Sequence, residues 1–248
     1  MLGIGGLNKK WQWGICGKHP VVKDYFKIGN FMPALDALEN WMQKGYGEVS
    51  KRSGHDAGIC SWRFWARGIK KKELIAGIVK DSYDTIGRPF PLLVLGNGVL
   101  EEWERNWECL PVFFEKLWES LEYLTTRRLN GLHDLENAII SIKSPENNPE
   151  RFGEIKDTLN RISPEPADES NAQQTPGALL KEQMAIISMD EKGGPAYSFR
   201  AGKWSSLSKT YAEEAPKTVF IGGTEKKHYL ALFRRPINTE DFIRLWSP

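Results

Sequence analysis

Long apolar runs are absent from this chain of 248 residues. The longest candidate, Phe90 to Leu100, is cut by Pro91, Gly96, Asn97 and Gly98. A bilayer-spanning helix needs about 20 apolar residues, so direct membrane insertion is not expected. Cysteine is scarce: Cys16, Cys60 and Cys109 are odd in number and far apart. Such a set makes neither a disulfide framework nor a CxxC metal knuckle, and reads as buried, reduced thiols. An excess of one charge is also lacking. The 34 Lys plus Arg stand against 32 Asp plus Glu, a net charge of +2. That balance excludes a strongly basic nucleic-acid binder and an acidic tail protein. The opening MLGIGGLNKKW carries its positive charge after a short apolar run, the reverse of a secretory signal. A cytoplasmic location is expected.

Motifs of familiar chemistry are missing as well. The glycines at 3, 5 and 6 before a lysine pair, and Gly222-Gly223-Thr224-Glu225-Lys226, lack the spacing of a phosphate-binding loop. His19, His55, His133 and His228 are scattered and give no four-ligand metal site. No GxSxG elbow is present. Asp81 and Asp84 lie beside Arg88, and are read as residues that shape a loop or take part in recognition. Lys70, Lys71 and Lys72 read as a solvated turn. No cofactor, metal or small-molecule substrate is expected, and the chain does not read as an enzyme. A cysteine or carboxylate hydrolase stays as the alternative, since a thiol or the Asp81–Asp84 pair could meet a histidine in space.

What the chain has in abundance is tryptophan: ten, eight of them before Leu121. These large rings must enter a core or an interface. Trp13, Trp62 and Trp65 fall on predicted strands, and Trp41, Trp107 and Trp118 on or beside the apolar faces of predicted helices. Trp11, Trp103, Trp204 and Trp246 have no clear buried place, so an interface is sought among them.

Periodicity supplies the outline. A strand is predicted over 11–16, then a helix through Leu35, Leu38, Trp41 and Met42 that starts near Pro33 and ends at Gly45 and Gly47. Strands are predicted over 60–67, 74–80 and 91–96, the first two as an antiparallel hairpin. Trp103, Trp107, Leu110, Phe114, Leu117, Leu121 and Leu124 step at helical spacing. Pro111 is expected to divide them into a short helix and a longer one starting near Leu110. Two weaker helices follow, over 132–142 and 152–162. Residues 144–176 hold five of the 14 prolines and seven acids against three bases, a net charge of −4. Removing them leaves +6 on the remainder. Their second half, 163–176, reads as a linker. Strands over 183–189, 196–200, 218–221 and 229–234 come next. A helix over 240–246, capped by Asn238 or Thr239, closes the chain.

The fold class expected is α/β: a mixed, mostly antiparallel sheet with flanking helices and a C-terminal β-rich part. The expected organisation is an N-terminal α/β domain over 1–130, a helical segment and Pro-rich linker over 131–176, and C-terminal strands with a terminal helix over 177–248, packed on the first domain.

Two segments then combine. Residues 17–26, GKHPVVKDYF, resemble a GKxPxxGDF motif, and residues 77–92, GIVKDSYDTIGRPFPL, resemble GxxxPSxDxxGRxFPL. Between them Trp62-Arg63-Phe64 matches an aromatic WRF strand. In order and spacing these resemble the TagF (ImpM) family, accessory proteins of bacterial type VI secretion. Thr218 to Gly223 is similar to the family's late strand, and Thr239 to Leu245 to its terminal helix. The likeness is strong to about Leu124 and weak across the linker. Lys23 stands where the family often has Gly, and Tyr25 where Phe is usual. Lys80-Asp81-Ser82 stands where Met-Pro-Ser is common. A backbone that needs Gly at 23 would be strained by Lys.

The resemblance implies a longin-like or profilin-like N-terminal part. It implies a post-translational repressor of type VI secretion that binds an FHA-domain scaffold or another cytoplasmic component of the apparatus. A structural subunit of the apparatus is a further alternative. Lys18, Asp24, Trp62, Arg63, Asp81, Asp84 and Arg88 are the candidate motif-loop or partner-binding residues. For the charged ones the competing role is an ion pair that fixes the loops.

Overall fold

Alternating side chains build the strands. In Ser61–Arg67 (β3), Trp62, Phe64 and Ala66 enter one apolar layer while Trp65 enters the other. Leu92–Val99 (β5) reads as a continuous apolar run because both of its faces are covered: Leu92 and Val94 on one side, Leu93 and Leu95 on the other. The remaining strands are Gln12–Gly17 (β1), Phe26–Ile28 (β2), Glu73–Lys80 (β4), Met184–Ser188 (β6), Thr218–Gly223 (β7) and His228–Phe233 (β8). All pair antiparallel in one eight-stranded sheet of order β2-β1-β5-β4-β3-β7-β8-β6. This is the mixed α/β, antiparallel architecture expected. The computed structural model describes residues 10–29, 32–52, 59–161, 183–189, 197–211 and 214–247. The linker expected over 163–176 lies outside the described residues.

One face of the sheet carries Pro33–Lys51 (α1) and the terminal helix Thr239–Trp246. The other carries two 3-10 turns, Trp103–Arg105 and Trp107–Cys109, and the helices Leu110–Phe113 (α2), Glu115–Thr126 (α3), Leu132–Ile140 (α4), Glu150–Arg161 (α5) and Tyr197–Tyr211 (α6). Thr239–Trp246 (α7) begins with a capping box: Asn238 Oδ1 accepts from the Asp241 amide at 3.2 Å, and Asp241 Oδ2 accepts from the Asn238 amide at 2.8 Å. Arg235 grips the same buried Asp241 with both terminal nitrogens, at 2.6 and 2.7 Å.

Several expectations fail, each for a physical reason. Gly45 and Gly47 do not end α1, which continues to Lys51. Gly45 is there for close approach: a Cβ on it would lie 2.2 Å from Cγ of Phe242. Pro111 does not break a helix, because it occupies the first turn of α2, where its missing N–H costs nothing. The interruption falls at Phe114 (φ −90°, ψ 1°), and the long helix starts at Glu115.

The strand expected over 196–200 is contradicted in its described part: residues 197–200 open α6. The buried positions of α6 are Ser198, Ala201, Gly202, Ser205 and Ser208. Helical spacing is present there, but small residues carry it instead of large apolar ones. They allow close packing, so hydrophobicity gave no sign of the helix. Trp11, Trp103 and Trp246 are not at an interface; none is more than 5% exposed. Trp246 stacks on Phe242 at 4.0 Å, Trp103 meets Trp65 edge-on at 5.7 Å, and Trp11 lies against Trp13 and Phe114. Trp204 is only partly buried and packs on the core.

Candidate functional site

The two motif segments meet at one end of the sheet. Gly17 closes β1 opposite Leu92, with φ +125°, and a Cβ there would sit 2.1 Å from the Pro91 carbonyl oxygen. Only glycine permits both that backbone and that approach. Beyond it the loop 18–25 lies against the loop 81–91. The Thr85 amide donates to the Val22 carbonyl at 3.0 Å, and Arg88 donates to the Lys23 carbonyl at 2.9 Å.

Asp84 organises the pair of loops. Its Oδ1 accepts the amides of Ile86 (3.1 Å) and Arg88 (2.9 Å), an Asx-type turn. Gly87 completes the turn with φ +82°, and its amide donates to the Asp84 carbonyl at 2.9 Å. Oδ2 of Asp84 takes Arg88 Nε at 2.6 Å and Lys18 Nζ at 3.1 Å. Lys18 also donates to the Arg88 carbonyl at 3.4 Å. Asp24 adds a longer contact to Arg88, 3.3 Å, at the surface.

Burial opposes ionisation of Asp84. The Arg88 amide, the Lys18 and Arg88 cations and the Ile86 amide outweigh it, so the carboxyl is held well below the usual carboxylate range. Both Asp84 oxygens are occupied, which leaves this buried group little capacity for a ligand. Arg88 is half exposed and Asp24 more so, and these face outward.

The structure thus brings together Lys18, Asp24, Asp84 and Arg88. The other three candidates go elsewhere. Asp81 turns to the C-terminal helix: Oδ1 accepts Trp246 Nε1 at 2.7 Å and Oδ2 accepts the Cys60 amide at 2.9 Å. Trp62 is fully buried against Phe220 on the face of α1 and α7. Arg63, the next residue along β3, points to the opposite face. It makes a bidentate pair with Glu122 of α3 at 2.7 and 2.9 Å and lies 5.9 Å from the Trp118 ring. Asp81 and Asp84 therefore do not converge as a carboxylate pair.

Lys23 is not among the described non-glycine residues with positive φ, so the departure from Gly creates no backbone strain. Tyr25 uses its extra hydroxyl to donate to Glu39 of α1, which also pairs with Lys27. Its ring packs edge-on against Phe90 at 5.5 Å. Residue-type reasoning missed Tyr83 and Ile86, which are 53% and 72% exposed on the Asp84 loop. A clue was available: both are large apolar residues inside a turn, where solvated side chains are the norm.

His19, in the first motif, is buried; burial pushes its imidazole pKa down, the Thr125 backbone acts against this, and Lys80 adds to the depression. Cys16, Cys60 and Cys109 are all buried, and burial raises each thiol to about 12. They are protonated at neutral pH and are poor nucleophiles. Among the described residues no group of three His, Cys, Asp or Glu could hold a metal ion, and no helix is long and apolar enough to cross a membrane.

Residues 14–143 match the family described as the TagF N-terminal domain, type VI secretion system-associated. The match contains both motif loops. The chain is also similar in fold to the crystal structure of PA0076 from Pseudomonas aeruginosa PAO1. The TM-score is 0.53 at 17% identity, covering 95% of this chain and 94% of that one. No curated protein matches.

Proposed function

We propose, from the premise that this chain belongs to the type VI secretion system-associated TagF family, that it is a cytoplasmic regulator of that apparatus. In this reading it is not an enzyme. It restrains secretion after translation by binding an FHA-domain scaffold protein through the tip of the two motif loops.

One observation carries the placement of the surface. The Lys18–Asp84–Arg88 cluster fixes the loops from beneath, while Tyr83 and Ile86 stand exposed on the same turn. Large apolar side chains held rigidly, next to a partly exposed arginine, are the composition of an interface hot spot. Asp84 and Lys18 act by holding the loop, and Arg88, Tyr83 and Ile86 by touching the partner. The buried thiols and the divergence of Asp81 from Asp84 favour this reading over a hydrolase. Over a structural subunit it has a weaker advantage: a small loop surface suits a reversible contact.

The test is titration of the purified FHA-domain protein of the same secretion cluster into this protein by calorimetry. The double change Tyr83→Ala with Ile86→Ala is expected to weaken binding at least tenfold without lowering thermal stability. Absence of binding by the unmodified chain would overturn the partner. Undiminished binding by the double variant would overturn the surface.

A further inference from the structure

A second surface stands apart from the motif loops in its chemistry. An open groove of about 830 Å³ runs between α3 and the segment that follows α4. A smaller one of about 670 Å³ continues it, and the two share Tyr123, Arg127, Ala138 and Ser141. From α3 the wall takes Lys116, Leu117, Ser120, Tyr123 and Leu124, one face of the helix. Leu117 and Ile142, both partly exposed, supply the apolar floor, with Phe113 and Phe114 buried beneath them.

Its charge is one-sided. Lys116, Arg127, Arg128, Lys143 and Arg151 line the walls, against Asp134 and Glu146. None of the five cations has an ion-pair partner among the described residues. Arg63, Lys209 and Arg235, by contrast, are each paired with a carboxylate at close range. Asp134 accepts from the Asn130 amide at 3.1 Å and its side chain at 3.0 Å; these bonds, with a smaller contribution from the Arg127 charge, hold its carboxyl below the usual range, but it makes no ion pair with either arginine. Nε of Arg127 is buried and has no hydrogen-bond partner among the described residues. A buried donor without an acceptor is costly, and an acceptor that reached it would relieve that cost. Tyr123, 66% exposed, offers an aromatic face on the rim.

We propose that this groove docks an acidic peptide segment of a partner protein, with an aromatic or aliphatic side chain set on the apolar floor. Charge complementarity selects the occupant: five unneutralised cations call for carboxylates, and the floor calls for an apolar anchor between them. The length fits. From Lys116 to Arg127 the helix advances about 16 Å at 1.5 Å per residue. About five extended residues span that distance at roughly 3.3 Å each. The proposal does not rest on the partner or the loop surface named above.

The probe is a fluorescein-labelled pentapeptide, Asp-Glu-Phe-Asp-Glu, followed by fluorescence anisotropy on the full chain. Controls are the amide version, Asn-Gln-Phe-Asn-Gln, anionic phosphatidylserine vesicles and a single-stranded oligonucleotide. The acidic peptide is expected to bind at least tenfold tighter than its amide version. Binding should be lost in about 1 M NaCl, where the screening length is about 3 Å. The triple variant Lys116→Glu, Arg128→Glu and Lys143→Glu should weaken it at least tenfold. All three side chains are exposed, so the fold should persist, as circular dichroism would verify. Arg127→Met, which leaves the neighbouring cations in place, should weaken it severalfold. Three results would each overturn the proposal: equal binding of the two peptides, binding unaffected by charge reversal, or tighter binding to the vesicles or the oligonucleotide.

Discussion

Gly45→Ala sets two opposing effects against each other at one carbon atom. Alanine in place of glycine within a helix is favourable by about 1 kcal/mol through propensity. At position 45, however, the new Cβ would stand 2.2 Å from Cγ and 2.3 Å from Cβ of Phe242, where ordinary carbon contact is about 3.5 Å. Phe242 cannot turn aside, because its ring is stacked on Trp246 at 4.0 Å and lies edge-on to Trp41 at 5.0 Å. Overpacking of this kind costs about 1–3 kcal/mol, occasionally more. Contacts of 2.2 and 2.3 Å belong at the upper end of that range, about 3 kcal/mol, so the net expectation is destabilisation by about 2 kcal/mol, a fall in Tm of about 4–8 °C for a chain of this size. Gly47, two residues on in the same helix, provides the internal control. A Cβ there meets nothing within 4 Å. Gly47→Ala should therefore raise Tm by about 2–4 °C. Urea and thermal unfolding of the two variants beside the parent measure both signs. If Gly45→Ala raised stability as Gly47→Ala does, the close α1–α7 contact would be refuted. With it would go the claim that α1 continues through Gly45 in order to receive Phe242.

Other tests follow from individual contacts. Trp246→Phe keeps the stack on Phe242 but removes the donor to Asp81, and should cost about 1–2 kcal/mol in urea unfolding, at the low end for a bond to a charged group because Asp81 is part-exposed. An unchanged midpoint would show that this bond does not hold α7 to the loop. Asp84 has a folded pKa below its unfolded one, so its stabilising effect is complete above the unfolded value of about 3.9 and is lost as pH falls towards the folded value. Asp84→Asn should flatten the acid limb of Tm against pH in that window; an identical limb would argue against the cluster. The three thiols should resist a disulfide reagent at pH 8 in the native protein and all react once it is unfolded, since burial raises each to about 12. Rapid native labelling of any of them would reopen thiol chemistry. Lys23→Gly should not improve the loop. It is expected to lower stability by about 0.5–1 kcal/mol, because the lysine backbone is unstrained and glycine only loosens the unfolded chain.

Much of the fold was legible in the chain because large apolar residues recur at the periods of strands and helices. Trp62, Phe64 and Ala66 alternate on β3, and Trp118, Leu121 and Leu124 keep to one side of α3. Where that signal failed, the failure had a local cause. The core-facing stripe of α6 is made of serine, alanine and glycine, so neither hydrophobicity nor propensity marked it. Gly45 carries the sign of a helix end, yet it serves a contact with a residue almost 200 positions away. The candidate site was partly legible for a comparable reason. An Asp four residues before an Arg, with glycine between them, announces a turn, and that turn is present. Nothing local announced that Lys18 would complete it from a loop some 65 residues earlier.

By itself, then, the sequence determined the antiparallel α/β class, the two motif loops and the family, because these depend on residue types and short spacings. The tertiary structure decided which charges share one carboxylate and which do not. Lys18, Asp84 and Arg88 close on each other, while Asp81 leaves for Trp246 and Arg63 for Glu122. It also decided where the tryptophans go. Trp11, Trp103 and Trp246 had no visible place in the chain; Phe114 and Trp65 are brought beside the first two by the fold, and Trp246, stacked on Phe242 of its own helix, is fixed from afar by Asp81. The reason is the same in both cases: a long-range contact is fixed by strand order and register, which no local spacing of residues encodes.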